Sequence, residues 1–410
     1  MPGQCREVAV TGLGVISPAG IGARATWDGL LTGRSTAARD PELAGLPVDI
    51  SCRVPDFDTA AMVGRKAAWR LDRFVAMAIL AARHAVADAG LGGPADWDTA
   101  RVGVVMGAGT GSMERYVGEF AKLAAGRPLD ISPLAITRSV PNMAAAEIAL
   151  DLAVTGPNFA VSTACASGSS ALGIARDLLR AGTCDIVLAG GAESARHAIP
   201  AACFHRMGAL SRRREDPAGA CRPFDARRDG FVLSEGAAVL VLERPAHAQA
   251  RGARPRAQLA GYGASCDAYH YAAPDPDGRG AAAALTAALA DAGAAPGDID
   301  HINAHGTGTR RNDLAEAKAL RSVFPEPPAV TSLKGALGHA IGAAGAIEAA
   351  VTVMSLQRDT IPPTANHEDT DLDIALDVVA KVPRTTAQSA AASLSMGFGG
   401  QNAALVFRSV

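Results

Sequence analysis

The chain has 410 residues, 49% hydrophobic and 20% charged, enough to bury a large core. A net charge of -2 lacks the basic excess of a nucleic-acid-binding protein. Its seven cysteines (Cys5, Cys52, Cys165, Cys184, Cys203, Cys221 and Cys266) are odd in number, widely spaced and free of C-x-x-C pairs. That pattern indicates neither a disulfide frame nor a zinc site and predicts reduced thiols in the cytoplasm. The opening MPGQCREVAVTGLGV has no signal-peptide pattern, and the most apolar helical stretch carries Glu348 and is too short to span a bilayer.

In chain order, short apolar runs ending in glycine turns predict strands over 7–15, 101–109, 158–164, 184–191 and 236–243. Five more follow over 257–265, 299–306, 329–335, 391–397 and 402–409. Ala-rich segments with a helical period lie between them, over 73–89, 167–181, 280–293, 313–323 and 341–356. Alternation of this kind, with nearly continuous apolar strands, reads as an α/β protein with buried sheets. TACASGSSALGIA (163–175) and GHAIGAAGAIEAA (338–350) share a design, as do VVMGAGTGS (104–112) and INAHGTGTR (302–310). Both pairs keep the same order, which predicts two similar halves, 1–256 and 257–410.

Cys165 stands at the predicted start of a helix, where the positive end of the dipole favours a thiolate. Ala164, Ala166, Gly168 and the serines that follow leave room for a carbonyl and free N–H groups for an oxyanion. An arbitrary cysteine is more often an inert core residue. Two histidines at strand–turn boundaries, His305 in NAHGTGT and His339 in SLKGALGHAIGAAGAIE, make that reading harder to keep. The second motif also holds Lys334 and Glu348, and SMGFGGQN adds a glycine hinge around Phe398.

These residues, in this order, resemble the β-ketoacyl-ACP synthases of the elongating Cys-His-His type, over about residues 6–409. GLGVISPAG, CRPFDARRDGFVLSEGAA and CDAYH support the resemblance. It implies the thiolase fold: two βαβαβαββ halves in five αβαβα layers, with Cys165 in the first half and both histidines in the second. It also implies a decarboxylative condensation of malonyl-ACP with an acyl chain carried on Cys165. The backbone N–H groups of Cys165 and Phe398 would form the oxyanion hole, and His305 and His339 would stabilise the enolate. Lys334 would support the site while paired with Glu348. Thr307 and Thr309 would contact the phosphopantetheine arm, and Thr110, Phe204, Met396, Leu134 and Ala135 would line the substrate pocket. Substrates would arrive on phosphopantetheine, with no resident cofactor and no metal.

A thiolase would need a second catalytic cysteine near the C-terminus, yet the last is Cys266. A priming synthase would carry Asn at the place of His339, and a chain-length factor would lack Cys165. A thioester hydrolase explains neither the second histidine nor Lys334. Met396, Gln401, Thr110, Leu134-Ala135 and Asn312-Asp313 depart from the housekeeping fatty-acid pattern. They favour a type II polyketide ketosynthase, of the polyene kind, with the fatty-acid elongating enzyme as alternative. Beside the His of DAYH many relatives carry threonine, where this chain has Tyr271-Ala272. Expected partners are an acyl carrier protein and a second subunit, identical or a chain-length-factor homologue, without nucleic acid or membrane. For carrier docking the resemblance selects Lys66 and Arg70 from a basic helix over 64–74 that also holds Arg65 and Arg73, and SRRRED adds Arg212 to Arg214.

Overall fold

The computed structural model describes residues 8–92 and 96–410, so Cys5 lies outside the described residues. Besides three short strands at its edge, the first half is built on five: β1 (Val8–Ser17), β2 (Val102–Gly107), β3 (Asn158–Val161), β4 (Ile186–Ser194) and β5 (Leu233–Glu243). Five form the second: β6 (Ala257–Cys266), β7 (His301–Asn303), β8 (Ala329–Thr331), β9 (Ala390–Gly397) and β10 (Gln401–Arg408). All ten correspond to runs expected from sequence. Those at 299–306 and 329–335 are shorter than expected. Their last residues leave the sheet to build the turns that carry His305 and Lys334.

The first half runs β3-β2-β4-β5-β1 across its sheet and the second β8-β7-β9-β10-β6, so the two share one strand order. Their pairing senses also match. β2 is parallel to β3 and β4, and β7 to β8 and β9, while the remaining pairs within each half are antiparallel. The halves join where Val8–Val10 of β1 pairs antiparallel with 257–259 of β6.

Eight helices matter here: α1 (Arg73–Asp88), α2 (Met113–Ala124), α3 (Met143–Leu152), α4 (Ser167–Arg180), α5 (Ala198–Arg206), α6 (Arg279–Ala292), α7 (Arg310–Val323) and α8 (Ala344–Arg358). α4 and α8 lie between the sheets, in a core with Val105, Leu240, Leu259 and Phe407. α1 and α3 cover the outer face of the first sheet, and α6 and α7 that of the second. The order is helix, sheet, helix, sheet, helix: the five layers of the thiolase fold. Helices α2, α3 and α5 have no counterpart among the expected segments. The basic stretch 64–74 is not one helix, because Gly64 (φ 91°) opens a short turn of helix, Arg65–Ala68, and α1 begins separately at Arg73. Arg73 is structural, with its guanidinium forked onto buried Glu235 at 2.7 Å through each nitrogen.

The central helices begin alike. Ala164 (φ 49°) and Ile341 (φ 43°) each take a left-handed conformation, followed by a 3-10 turn that runs into α4 or α8. The two helices then approach at backbone distance: a Cβ on Gly168 would meet the Ala346 nitrogen at 2.6 Å. Neither backbone can yield without moving a whole layer. Gly168→Ala is therefore expected to cost about 1–3 kcal/mol, the usual range for overpacking. Urea denaturation checks this; an unchanged midpoint would refute the close crossing.

Candidate active site

Cys165, His305, His339 and Phe398 line one cavity of about 810 Å³, together with Thr307 and Thr309. Phe204 and Met396 line its apolar wall. Phe231 and Ile341, which the sequence did not single out, are also in that wall. Thr110, Leu134 and Ala135 are not, contrary to expectation. The Thr110 hydroxyl is turned to Glu193, which it meets at 2.9 Å, while Ala135 is buried at the start of a short helix.

Cys165 sits on the left-handed turn after β3, and its serines brace that turn. Ser167 Oγ donates to the Ala164 carbonyl at 2.6 Å and accepts from Thr163 N–H at 2.9 Å; Ser169 pairs with Ser395 at 2.9 Å. The small residues thus serve packing and turn closure more than access. Burial pushes the thiol up to about 12, against the Lys334 charge and the Phe398 N–H, which donates to the sulfur. Burial thus acts on Cys165 in the sense opposite to the helix dipole expected from sequence.

Lys334 lies behind the cavity wall. Its Nζ donates to His305 Nδ1 at 3.3 Å and pairs with Glu348 Oε1. An ammonium can only donate, so Nδ1 accepts and the His305 proton resides on Nε2. His339 crosses the His305 ring at 83°, with 5.4 Å between centroids, and stands edge-on to Phe231. Burial and then the Lys334 charge hold both imidazoles well below their ordinary 6.5, so both are neutral at pH 7.

Sequence reasoning missed Glu316 on α7. Its carboxylate accepts the N–H of His305 at 2.6 Å and of Gly306 at 2.7 Å, which fixes the turn. The available signal was an acid on the buried, Ala-rich face of a helix. Glu193 works likewise, accepting the N–H of Gly109 and Thr110 at 2.7 and 3.0 Å. Around the hinge, Gly399 N–H donates to the Tyr271 carbonyl at 2.8 Å, and His270 stacks on Tyr271. The hinge and the DAYH loop are thereby tied together.

Lys66 and Arg70, expected to dock a carrier protein, lie outside this cavity. Lys66 is exposed, whereas Arg70 is held by Glu147 at 2.8 Å. Arg214 is spent on Asp49, leaving Arg212 exposed at the cavity.

Burial, with repulsion from Asp313, pushes Glu316 from 4.5 up to about 8. A raised acid favours the folded state below its unfolded value, and that gain is lost as pH rises through the folded one. Glu316→Gln puts an NH₂ against one of two amides and is expected to cost about 1–3 kcal/mol. The wild type's advantage should shrink between pH 4.5 and 8, read as urea midpoints at several pH values.

The comparisons with known proteins agree with this geometry. The family described as Beta-ketoacyl synthase, N-terminal domain, matches residues 5–248, and its C-terminal counterpart matches 256–368. A 3-oxoacyl-[acyl-carrier-protein] synthase 2 of Rhizobium meliloti (strain 1021) is 39% identical, covering 98% of this chain and 99% of the relative. The namesake from Synechocystis sp. (strain ATCC 27184 / PCC 6803 / Kazusa) is 40% identical over 98% of each chain. Among solved structures, the ishigamide ketosynthase/chain length factor superposes with a TM-score of 0.92 at 36% identity, over 99% of both chains. A type II PKS acyl-carrier protein in complex with its ketosynthase, AntDE:AntF, gives 0.89 at 31%, over 99% of this chain and 100% of that one. The chain belongs to the β-ketoacyl synthase family, the condensing acyltransferases.

Proposed function

We propose that Cys165 takes an acyl chain from an acyl carrier protein and that malonyl-ACP then extends it by two carbons. The observation that carries this reading is one cavity holding a thiol, an N–H aimed at its sulfur and two neutral imidazoles. In the first stage the Cys165 sulfur bonds to the thioester carbon, the carrier C–S bond breaks, and the Cys165 proton passes to the carrier sulfur, which leaves as a thiol. In the second, malonyl loses CO₂, and the electron pair passes into an enolate whose oxygen receives the N–H of His305 and His339. The enolate carbon attacks the acyl carbonyl, the C–S bond breaks and the sulfur is freed. Neutral imidazoles can fill this role because each keeps one N–H, which it can donate from Nε2 to the enolate oxygen. The sequence needs no resident cofactor. The setting is the cytoplasm, in keeping with the free thiols of the described cysteines.

The polyketide setting is supported by the Asn312-Asp313 pair, which resembles polyketide ketosynthases more than the Gly-Asp of fatty-acid enzymes, and by the 36% identity to the ishigamide ketosynthase/chain length factor. Fatty-acid elongation is the second reading, carried by the 40% identity to the Synechocystis synthase.

A second subunit is proposed from α2, which is inverted. Val117, Phe120 and Leu123 face outward, while Glu119 is buried against Lys122 and the Ser132 N–H. β3 stands at the open edge of its sheet. This face suits an identical chain or a chain-length-factor homologue. Light scattering should give the mass of two chains, and Phe120→Asp should shift it toward one.

Incubation with acyl- and malonyl-ACP, read by mass spectrometry, should show acyl on Cys165 and a product two carbons longer. Cys165→Ala should abolish both. His305→Ala should keep acylation and lose condensation by about a hundredfold. The decarboxylation rate should show no inflection near pH 6.5, the ordinary histidine value. Condensation by Cys165→Ala, or hydrolysis alone by the wild type, would sink the reading.

A further inference from the structure

One segment lines the cavity from floor to rim. His305 and Thr307 are buried, Thr309 is half-buried, and Arg310 and Arg311 are exposed, yet all five border the same space. Arg212 joins the two arginines at the open end from the loop after α5. Among the described residues none of these three guanidinium groups forms a salt bridge or donates a hydrogen bond. Elsewhere the arginines of this chain are mostly spent on carboxylates, as Arg213, Arg214 and Arg228 are.

The acids near the rim are already engaged. Asp229 accepts from Ser211 Oγ at 2.7 Å and from Arg212 N–H at 3.1 Å, and lies 3.9 Å from Arg213. Asp267 accepts from Asn402 at 2.7 Å and from Asp275 N–H at 3.0 Å. Asp371, which feels the charge of Arg310, is held by Arg228 at 2.6 Å. The open end of the cavity therefore offers three guanidinium groups that, among the described residues, pair with no carboxylate, although Asp229 and Asp267 also line the cavity, each held by hydrogen bonds to its neighbours.

A substrate on a phosphopantetheine arm has a thioester at one end and a phosphodiester at the other. The thioester must reach buried Cys165, so the phosphodiester, still bound to its carrier, must stay at the rim. We propose that Arg212, Arg310 and Arg311 form a receptor for that phosphodiester, with the Thr307–Thr309 wall leading the arm inward. The proposal rests on the acyl-transfer reading above. It separates this site from Lys66 and Arg70, which lie outside the cavity and would meet the carrier protein itself. Arginine suits the task because its fork gives charge-assisted hydrogen bonds to phosphate oxygens.

The test uses the intact protein and two small thioesters with the same acyl group, acyl-pantetheine and acyl-4′-phosphopantetheine. Acylation of Cys165 is followed by mass spectrometry. Wild type should prefer the phosphorylated donor by about tenfold in kcat/KM, the gain of one charge-assisted contact. Added salt should erode that preference. Arg310→Ala/Arg311→Ala, and separately Arg212→Ala, should lower it while leaving the pantetheine rate unchanged; Lys replacements should restore part of it. Equal use of both donors by wild type overturns the receptor but leaves acyl transfer standing. Equal loss with both donors in the variants also overturns it, because the arginines would then shape the cavity. Failure of both donors to acylate Cys165 overturns acyl transfer itself, and the receptor with it.

Discussion

The fold depends on the close crossing of α4 and α8. Their first turns meet at glycines: Gly168 lies against the Ala346 backbone and Gly345 against Ser169, while Gly342, just before α8, meets Gly109 in the loop after β2. That contact forces the Cys165 turn of one half and the Ile341 turn of the other into one place. Each turn is entered through a left-handed residue that is not glycine, Ala164 or Ile341. Such strain persists only where surrounding packing over-determines it. A central layer buried between two sheets meets that condition. The site is a product of the repeat: each half contributes a helix start, and chemistry occupies the seam.

Burial then decides what the reacting groups are. Away from water, the neutral forms of cysteine and histidine are favoured together. One cation, Lys334, acts on all three groups in a useful sense. It favours thiolate on Cys165, disfavours protonation of His305 and His339, and is itself balanced by Glu348. It does this from behind the wall, outside the cavity lining. A residue that never faces substrate can thus set the proton inventory of those that do.

The ten strands were legible because buried strands between glycine turns leave long apolar runs. That Cys165, His305, His339, Phe398 and the two threonines meet in one cavity was legible because each lies in a motif of small residues, where a reactive or polar side chain stands out. Other features left a weaker trace. Glu316 and Glu193 bond backbone amides brought near by the fold, and the partner of such a carboxylate carries no side-chain signature. Thr110, Leu134 and Ala135 failed for the converse reason. Their motif positions matched, but which way a side chain turns depends on neighbours such as Glu193. α2 was missed because its apolar face points to solvent, so the usual inference from amphipathicity to burial fails there.

The two histidines look equivalent in sequence and are not equivalent in the structure. His305 is anchored through its ring: Lys334 occupies Nδ1, so only one tautomer is compatible with the site. His339 is anchored through its backbone, its N–H donating to Val232 at 2.8 Å and its carbonyl accepting from Ser234 at 3.1 Å. Among the described residues, neither of its ring nitrogens has a partner. Its ring is positioned by aromatic contact alone, edge-on to Phe231 and crossing His305. His305 therefore offers a fixed donor, and His339 one whose tautomer can follow the substrate. In the proposed condensation, that difference would serve an enolate oxygen that forms and then collapses within one cavity. A fixed donor holds the geometry, while an adjustable one can match the charge as it appears and disappears.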